Sequence, residues 1–275
     1  MRVWRLFGRL AALLAIVLLP LVTTTACAKK TTGPRLSLVW QDEFDGPAGQ
    51  LPDLSRWNFD VGTGWGNAQL EYDTARPENV SLDGAGHLLI TARHEDWLGQ
   101  NYTSGRITTR GKFEQSGGRF EARMRMPSGP GMWPAFWLLG NDVGTAGWPA
   151  CGEMDIMEFR GQEPLIVHGS LHGPGYSGGA AITRAYSASA PLDSAFHVYA
   201  VEWTSSRITW ELDGVVYSTV TPASLPSGSA WVFTHPFFVI LNLAVGGNYV
   251  GSPTTNTPFP TALQVDYVRV YRLSS

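Results

Sequence analysis

Beyond residue 30, no stretch of ten or more residues repeats its apolar positions at the helical period of 3.6. The repeat is two, the period of a β-strand. "GRFEARMRMP" (118–127) alternates without a break, with Phe120, Ala122, Met124 and Met126 on one face and Glu121, Arg123 and Arg125 on the other. "RITWELDGVVYSTV" (207–220) reads as a hairpin around Asp213-Gly214, a dipeptide suited to a type I′ turn because both of its residues accept positive φ. "NVSLDGAGHLLITARHE" (79–95) is two apolar runs around a turn. "FFVILNLAVGG" (237–247) is apolar enough for a strand buried on both faces, and "LQVDYVRVYR" (263–272) alternates to the end. Turn residues separate such runs roughly every ten residues, with no internal repeat and no linker between Leu36 and Arg272. The expected fold class is all-β: one jelly-roll β-sandwich of two antiparallel sheets. A sandwich of this size leaves one sheet face over. If concave, it forms a groove, and grooves suit polymers.

With 275 residues the chain can bury a sizeable core, and 44% hydrophobic residues argue against disorder. The net charge is −3, and losing Arg2, Arg5 and Arg9 with a leader leaves 17 basic against 23 acidic residues, a net −6. That balance excludes a polyanion as the expected partner, so no nucleic-acid binding is predicted.

Those three arginines precede an apolar run from Leu10 to Val22, the layout of an export signal and short of the ~20 residues of a membrane span. Two processing readings stand. Ala26-Cys27-Ala28 fits small-x-small cleavage. Thr24-Thr25-Ala26-Cys27 resembles a bacterial lipobox, with Thr24 where a bulky aliphatic residue is expected, and would make Cys27 a lipidated first residue. The predicted organisation is an export signal over 1–27, a tether over 28–35 and one folded domain over 36–275. The product is expected to be monomeric, and extracellular or lipid-anchored at the bacterial surface. Only Cys151 remains in the domain, so no internal disulfide can form.

The chemistry concentrates in "GEMDIMEFRG" (152–161), where Glu153, Asp155 and Glu158 alternate with Met154, Ile156 and Met157. Plain alternation puts Glu153 and Asp155 on one face and Glu158 on the other. Three readings compete: a solvated edge strand, a divalent-metal site, or a pair of glycosidase carboxylates. A β-bulge at Ile156-Met157 would reset the alternation and return Glu158 to the face of the other two acids. Two glutamates leaning inward could then bring their carboxyls to the ~5–6 Å of a retaining glycosidase. Nearby, Trp133 and Trp137 are four apart and share a strand face, with groove lining and core filling both open for Trp137. Asn242, inside an apolar run, either faces the groove or is a satisfied buried amide. His168 and His172 are also four apart, but no carboxylate or Cys completes a local metal site.

"GEMDIMEF" resembles the catalytic signature of glycoside hydrolase family sixteen, in its bacterial laminarinase (endo-1,3-β-glucanase) branch. "LVWQDEFDG" (38–46), "NAQLEYDTARPENV" (67–80), "YTSGRITTRGKFEQSGGRFEARMRMPSGPGMWPAFWLLG" (102–140), "GWPACGEMDIMEF" (147–159), "VHGSLHGPGYSGG" (167–179) and "HPFFVILNLAVGG" (235–247) resemble laminarinase blocks in the same order. The resemblance implies a concanavalin-like jelly roll, Glu153 as nucleophile, Glu158 as acid/base and Asp155 as auxiliary carboxylate. It implies a β-glucan held by Asn67, Arg76, Trp133, Trp137, Trp148, His172 and Asn242, and no cofactor for catalysis. It also implies a structural calcium ion held by Glu43, the Gly86 carbonyl and Asp266. Two alternatives remain: a mixed-linkage β-1,3-1,4-glucanase (lichenase), whose branch the shorter form "GEMDIEF" resembles, and a non-catalytic β-glucan-binding module, which would be expected to lack one or both glutamates.

Overall fold

A computed structural model describes Met1 and residues 35–274; the export segment and Cys27 lie outside the described residues. The described chain builds two sheets. The seven-stranded sheet runs, edge to edge, Ile182–Ser187, Ile166–His172, Glu153–Phe159, Met132–Gly140, Phe237–Val245, Arg106–Thr108, Asn58–Phe59. The ten-stranded sheet runs Val215–Val220, Arg207–Leu212, His197–Thr204, Gly118–Arg125, Thr261–Ser274, Leu88–Trp97, Gln100–Ser104, Glu71–Asp73. Beside this path Arg35–Asp42 pairs with Thr261–Ser274, and Val80–Leu82 with Leu88–Trp97.

The local signals behave as their chemistry requires. Asp213 (φ 50°) and Gly214 (φ 77°) both sit at positive φ, the type I′ geometry that matches the twist of the flanking strands. Phe120, Ala122, Met124 and Met126 enter the core, and all nine residues of Phe237–Val245 are buried. Three features differ from the sequence reading. Arg35, expected in the tether, already pairs with Ser274 in the first strand. One strand pair is parallel, Glu71–Asp73 against Gln100–Ser104. The last strand does not alternate to its end: Leu263 and Val265 are buried, then Val268 and Val270, because the register shifts between Val265 and Tyr267 at Asp266.

The same device operates in the acidic strand. Against Ile166–His172, Asp155 pairs with Ser170 and Glu158 with His168. Against Met132–Gly140, Asp155 pairs with Trp137 and Met157 with Phe136. Ile156 and Met157 therefore form a bulge with both side chains in the core, and Glu158 returns to the outer face.

Two of the three expected calcium ligands, Glu43 and Asp266, are engaged by arginines. Both Glu43 oxygens accept from Arg269, Nε to Oε1 and Nη2 to Oε2, each at 2.8 Å, and Asp266 is ion-paired with Arg123. A cation needs these oxygens free and converging on one point, so the donor set as it stands does not fit calcium. The bidentate Arg269–Glu43 pair itself ties the segment after the first strand to the last strand. Chelation is therefore expected to leave the melting temperature unchanged. Glu43→Ala should lower it by about 2–4 °C, because a half-exposed bidentate pair contributes on the order of 1 kcal/mol. A drop on adding EDTA to calcium-loaded protein would refute this account.

Candidate active site

The outer face of the seven-stranded sheet carries a groove of about 910 Å³. Alternation along each central strand lines it: Trp133, Ala135, Trp137 and Leu139 from one strand, His168, Ser170 and His172 from another, and Glu153, Asp155 and Glu158 between them.

The two glutamates each have their own donors, while Asp155 has only the His172 ring beside it. Trp148, half-exposed in the loop before the acidic strand, donates its indole N–H to Glu153 Oε2 at 2.9 Å. The Gly178 amide donates to His172 Nδ1 at 3.1 Å, so Nδ1 is the acceptor and Nε2 carries the hydrogen. That Nε2–H faces Asp155 Oδ2 at 3.1 Å and Glu153 Oε1 at 3.6 Å. Glu158 accepts from Trp133 Nε1 at Oε1 and from the Ser170 hydroxyl at Oε2, both at 3.2 Å. Ser170 in turn lies 3.0 Å from the Thr183 hydroxyl. A hydroxyl can donate to a carboxylate or accept from a carboxylic acid, so Ser170 can serve Glu158 in either protonation state.

Burial is the main force on their protonation. It pushes Glu153, Asp155 and Glu158 each up to about 8, and the charge of Asp155 adds to the rise at both glutamates. At Glu153 the His172 ring and the Trp148 N–H act in the opposite direction.

The predicted catalytic and substrate-binding residues fall into two groups. Glu153, Asp155, Glu158, Asn67, Trp133, Trp137, Trp148, His172 and Asn242 all line the groove. Trp133 and Trp148 reach the catalytic glutamates through their N–H groups as well as offering ring faces. Asn242 accepts from Trp137 Nε1 at 2.8 Å, which is how an amide is tolerated in a buried strand. Arg76 is the exception. It pairs with Glu95, donates to Asn79 Oδ1 at 2.9 Å and lies 3.9 Å from the Trp97 ring centroid, away from the groove. The chain leaves the groove after Gln69 and passes through Glu71–Asp73, so Arg76 clasps the scaffold instead of lining the groove.

Among the lining residues that the sequence reading does not single out, Ser170 and Arg106 bear most on the site. Ser170 was accessible to it, because His168, Ser170 and His172 share a strand face in "VHGSLH". Arg106 was not. Its guanidinium carbon sits 4.8 Å from the Trp65 ring and 4.9 Å from the Trp137 ring, and Nε donates to Asp60 Oδ2 at 2.9 Å, partners from two segments distant in sequence from Arg106.

Among the predicted ligand types, Glu153, Asp155 and His172 place oxygen and nitrogen atoms close enough for a metal ion. The Gly178 amide nonetheless leaves a hydrogen, not a lone pair, on the nitrogen that faces the acids.

The raised carboxyl groups make stability depend on pH. Their ordinary values are 4.5 for Glu and 3.8 for Asp, so the folded protein holds protons that the unfolded chain releases between those values and about 8. Their stabilising contribution is complete below the ordinary values and is lost as pH rises through the folded ones. The melting temperature should fall from pH 5 to pH 8, and Asp155→Asn should flatten that fall. An equal slope in the variant, measured by calorimetry, would contradict the assignment.

Comparison with known proteins agrees with this geometry. A family model described as glycosyl hydrolases family 16 matches residues 65–269. A beta-glucanase of Rhodothermus marinus is 46% identical over 249 residues, covering 87% of this chain and 86% of its own. The X-ray structure of an endo-beta-1,3-glucanase from Pyrococcus furiosus superposes with a TM-score of 0.83 at 44% identity, over 89% of this chain and 97% of that one. The laminarinase catalytic domain from Thermotoga maritima MSB8 gives 0.82 at 44% identity, over 87% and 99%. With three carboxylates re-aimed into one groove, and similarity over most of its length, the chain belongs to glycosyl hydrolase family 16 and is a glycoside hydrolase.

Proposed function

We propose that the enzyme hydrolyses internal β-1,3 bonds of glucans such as laminarin, with retention of configuration. The observation that carries the assignment of roles is the difference between the donors of the two glutamates. Glu153 meets N–H groups that can only donate, from Trp148 and from His172, and such a setting favours the anion a nucleophile needs. Glu158 also accepts from one such N–H, that of Trp133, but its second oxygen meets the ambivalent Ser170 hydroxyl, which suits a group that must give up a proton and take it back.

In the first step Glu153 attacks the anomeric carbon while Glu158 protonates the departing sugar oxygen. In the second, Glu158 takes a proton from water, whose oxygen displaces Glu153 from the same carbon. Asp155, between them and against His172 Nε2–H, sets the local charge. The open groove admits a chain at its middle, which supports endo action, and the indoles of Trp133, Trp137 and Trp148 offer faces for pyranose rings. The bulge at Ile156-Met157 favours the 1,3-specific branch over the mixed-linkage one. Sizing the products from laminarin and lichenan distinguishes the two.

Glu153→Ser should abolish turnover of laminarin, and azide should restore reaction with inverted product. Glu158→Ala should lose laminarin hydrolysis yet keep kcat/KM for a dinitrophenyl glycoside, whose leaving group needs no proton. If both variants retain more than a few percent of activity on laminarin, the roles are wrong.

The proposal extends to location. The arginine-flanked apolar run and Cys27 support export with a diacylglycerol anchor on Cys27, the tether holding the catalytic domain at the outer face. Cys27→Ser should move the enzyme from the membrane fraction to the soluble one and remove labelling by a palmitate analogue. Unlabelled wild-type protein would exclude the anchor.

A further inference from the structure

Gly169 is the single residue that faces the two-residue bulge, since Asp155 pairs with Ser170 and Glu158 with His168. Just before the bulge, the Asp155 carbonyl accepts a 2.9 Å hydrogen bond from the indole N–H of Trp210. Trp210 belongs to the other sheet, on Arg207–Leu212, and is 1% exposed. Its indole crosses the core and occupies the space a side chain at 169 would need. A Cβ built there would lie 2.5 Å from both Cδ1 and Nε1 of Trp210, closer than real Cβ atoms come. Glycine is thus the residue that lets the indole through, and the indole's only polar atom meets the carbonyl from which the strand departs from regular pairing.

We propose that Trp210 and Gly169 form a keyed pair that holds the bulge and thereby aims Glu158, making Trp210 a positioning residue for the acid/base. The inference rests on the role given to Glu158 above. It predicts an asymmetric effect. Both glutamates pair on both sides, Glu153 with Leu139 and His172 and Glu158 with Ala135 and His168, but the strand before the bulge carries Glu153 in plain alternation, whereas the face that Glu158 presents is set by the bulge. Removing the Trp210 N–H should disturb one carboxylate and spare the other. A displacement of the order of 1 Å at a reacting group is enough to cost about a hundredfold in rate.

The test replaces the N–H without emptying the core. Trp210→Phe keeps an aromatic ring; benzothienylalanine at position 210, with sulfur in place of N–H, keeps the shape almost unchanged and guards against a folding defect. Either change should lower kcat on laminarin by about tenfold or more with little change in KM, while kcat/KM for a dinitrophenyl glycoside stays near wild type. Gly169→Ala, which pushes on the indole from the other side, should give the same split. In a Glu158→Ala background, the position-210 change should cost nothing further on the dinitrophenyl substrate, as expected for residues acting as one unit. Equal losses on both substrates, or wild-type kinetics in the benzothienylalanine protein, would overturn the inference. Glu158→Ala alone separates the two levels. If it lacks the leaving-group split, the role of Glu158 fails; if it shows the split and the position-210 variants do not, only the Trp210 proposal fails.

Discussion

Three carboxylates aimed into one groove from a single central strand are the constraint that the surrounding structure answers. Buried anions without partners cost several kcal/mol each, so a strand carrying Glu153, Asp155 and Glu158 is tolerable only where donors are already fixed in place. The fold supplies them from four directions: Trp148 from a preceding loop, Trp133 from one neighbouring strand, His172 and Ser170 from the other, and the Gly178 amide behind His172. None of these donors is redundant with another. Burial raises all three carboxyl groups, and these donors act against that rise at the two glutamates.

The same constraint explains how the aromatic residues are divided. Trp57, Trp203 and Trp210 are wholly buried, filling the wide space between two twisted sheets. Trp133, Trp137 and Trp148 line the groove, and each turns its N–H toward a polar partner there: Glu158, Asn242 and Glu153. Trp210 connects the two populations. It is a core residue by burial, yet its polar atom reaches the strand that carries the chemistry. The ten-stranded sheet is thus more than backing for the groove, because it touches the one irregular point of the acidic strand.

Much of this could be read from the chain itself. Alternation in "GRFEARMRMP", the Asp213-Gly214 turn and the apolar run 237–247 specify strands through local geometry, and the extra residue in "GEMDIMEF" specifies a bulge because three acids cannot otherwise share a face. The break at Asp266 was missed, since the spacing Val265-Asp266-Tyr267-Val268 resembles alternation until the partner strand is known. Arg76 was misplaced because similarity of a block says which residues travel together, and the chain turns away between Asn67 and Arg76. The arginine partners of the expected calcium ligands are invisible to a local reading for a related reason: Glu43 and Asp266 are acids in any reading, but their pairing with Arg269 and Arg123 exists only across strands.

By itself, then, the sequence determined the strands, the turns and the carboxylates, because each follows from the chemistry of residues within a few positions of one another. The tertiary structure alone decided which N–H serves which oxygen, why 169 must be glycine, and how Arg106 comes to lie between two indoles. Those are contacts between segments tens of residues apart, and their partners are chosen by how two sheets pack, a quantity no local pattern encodes.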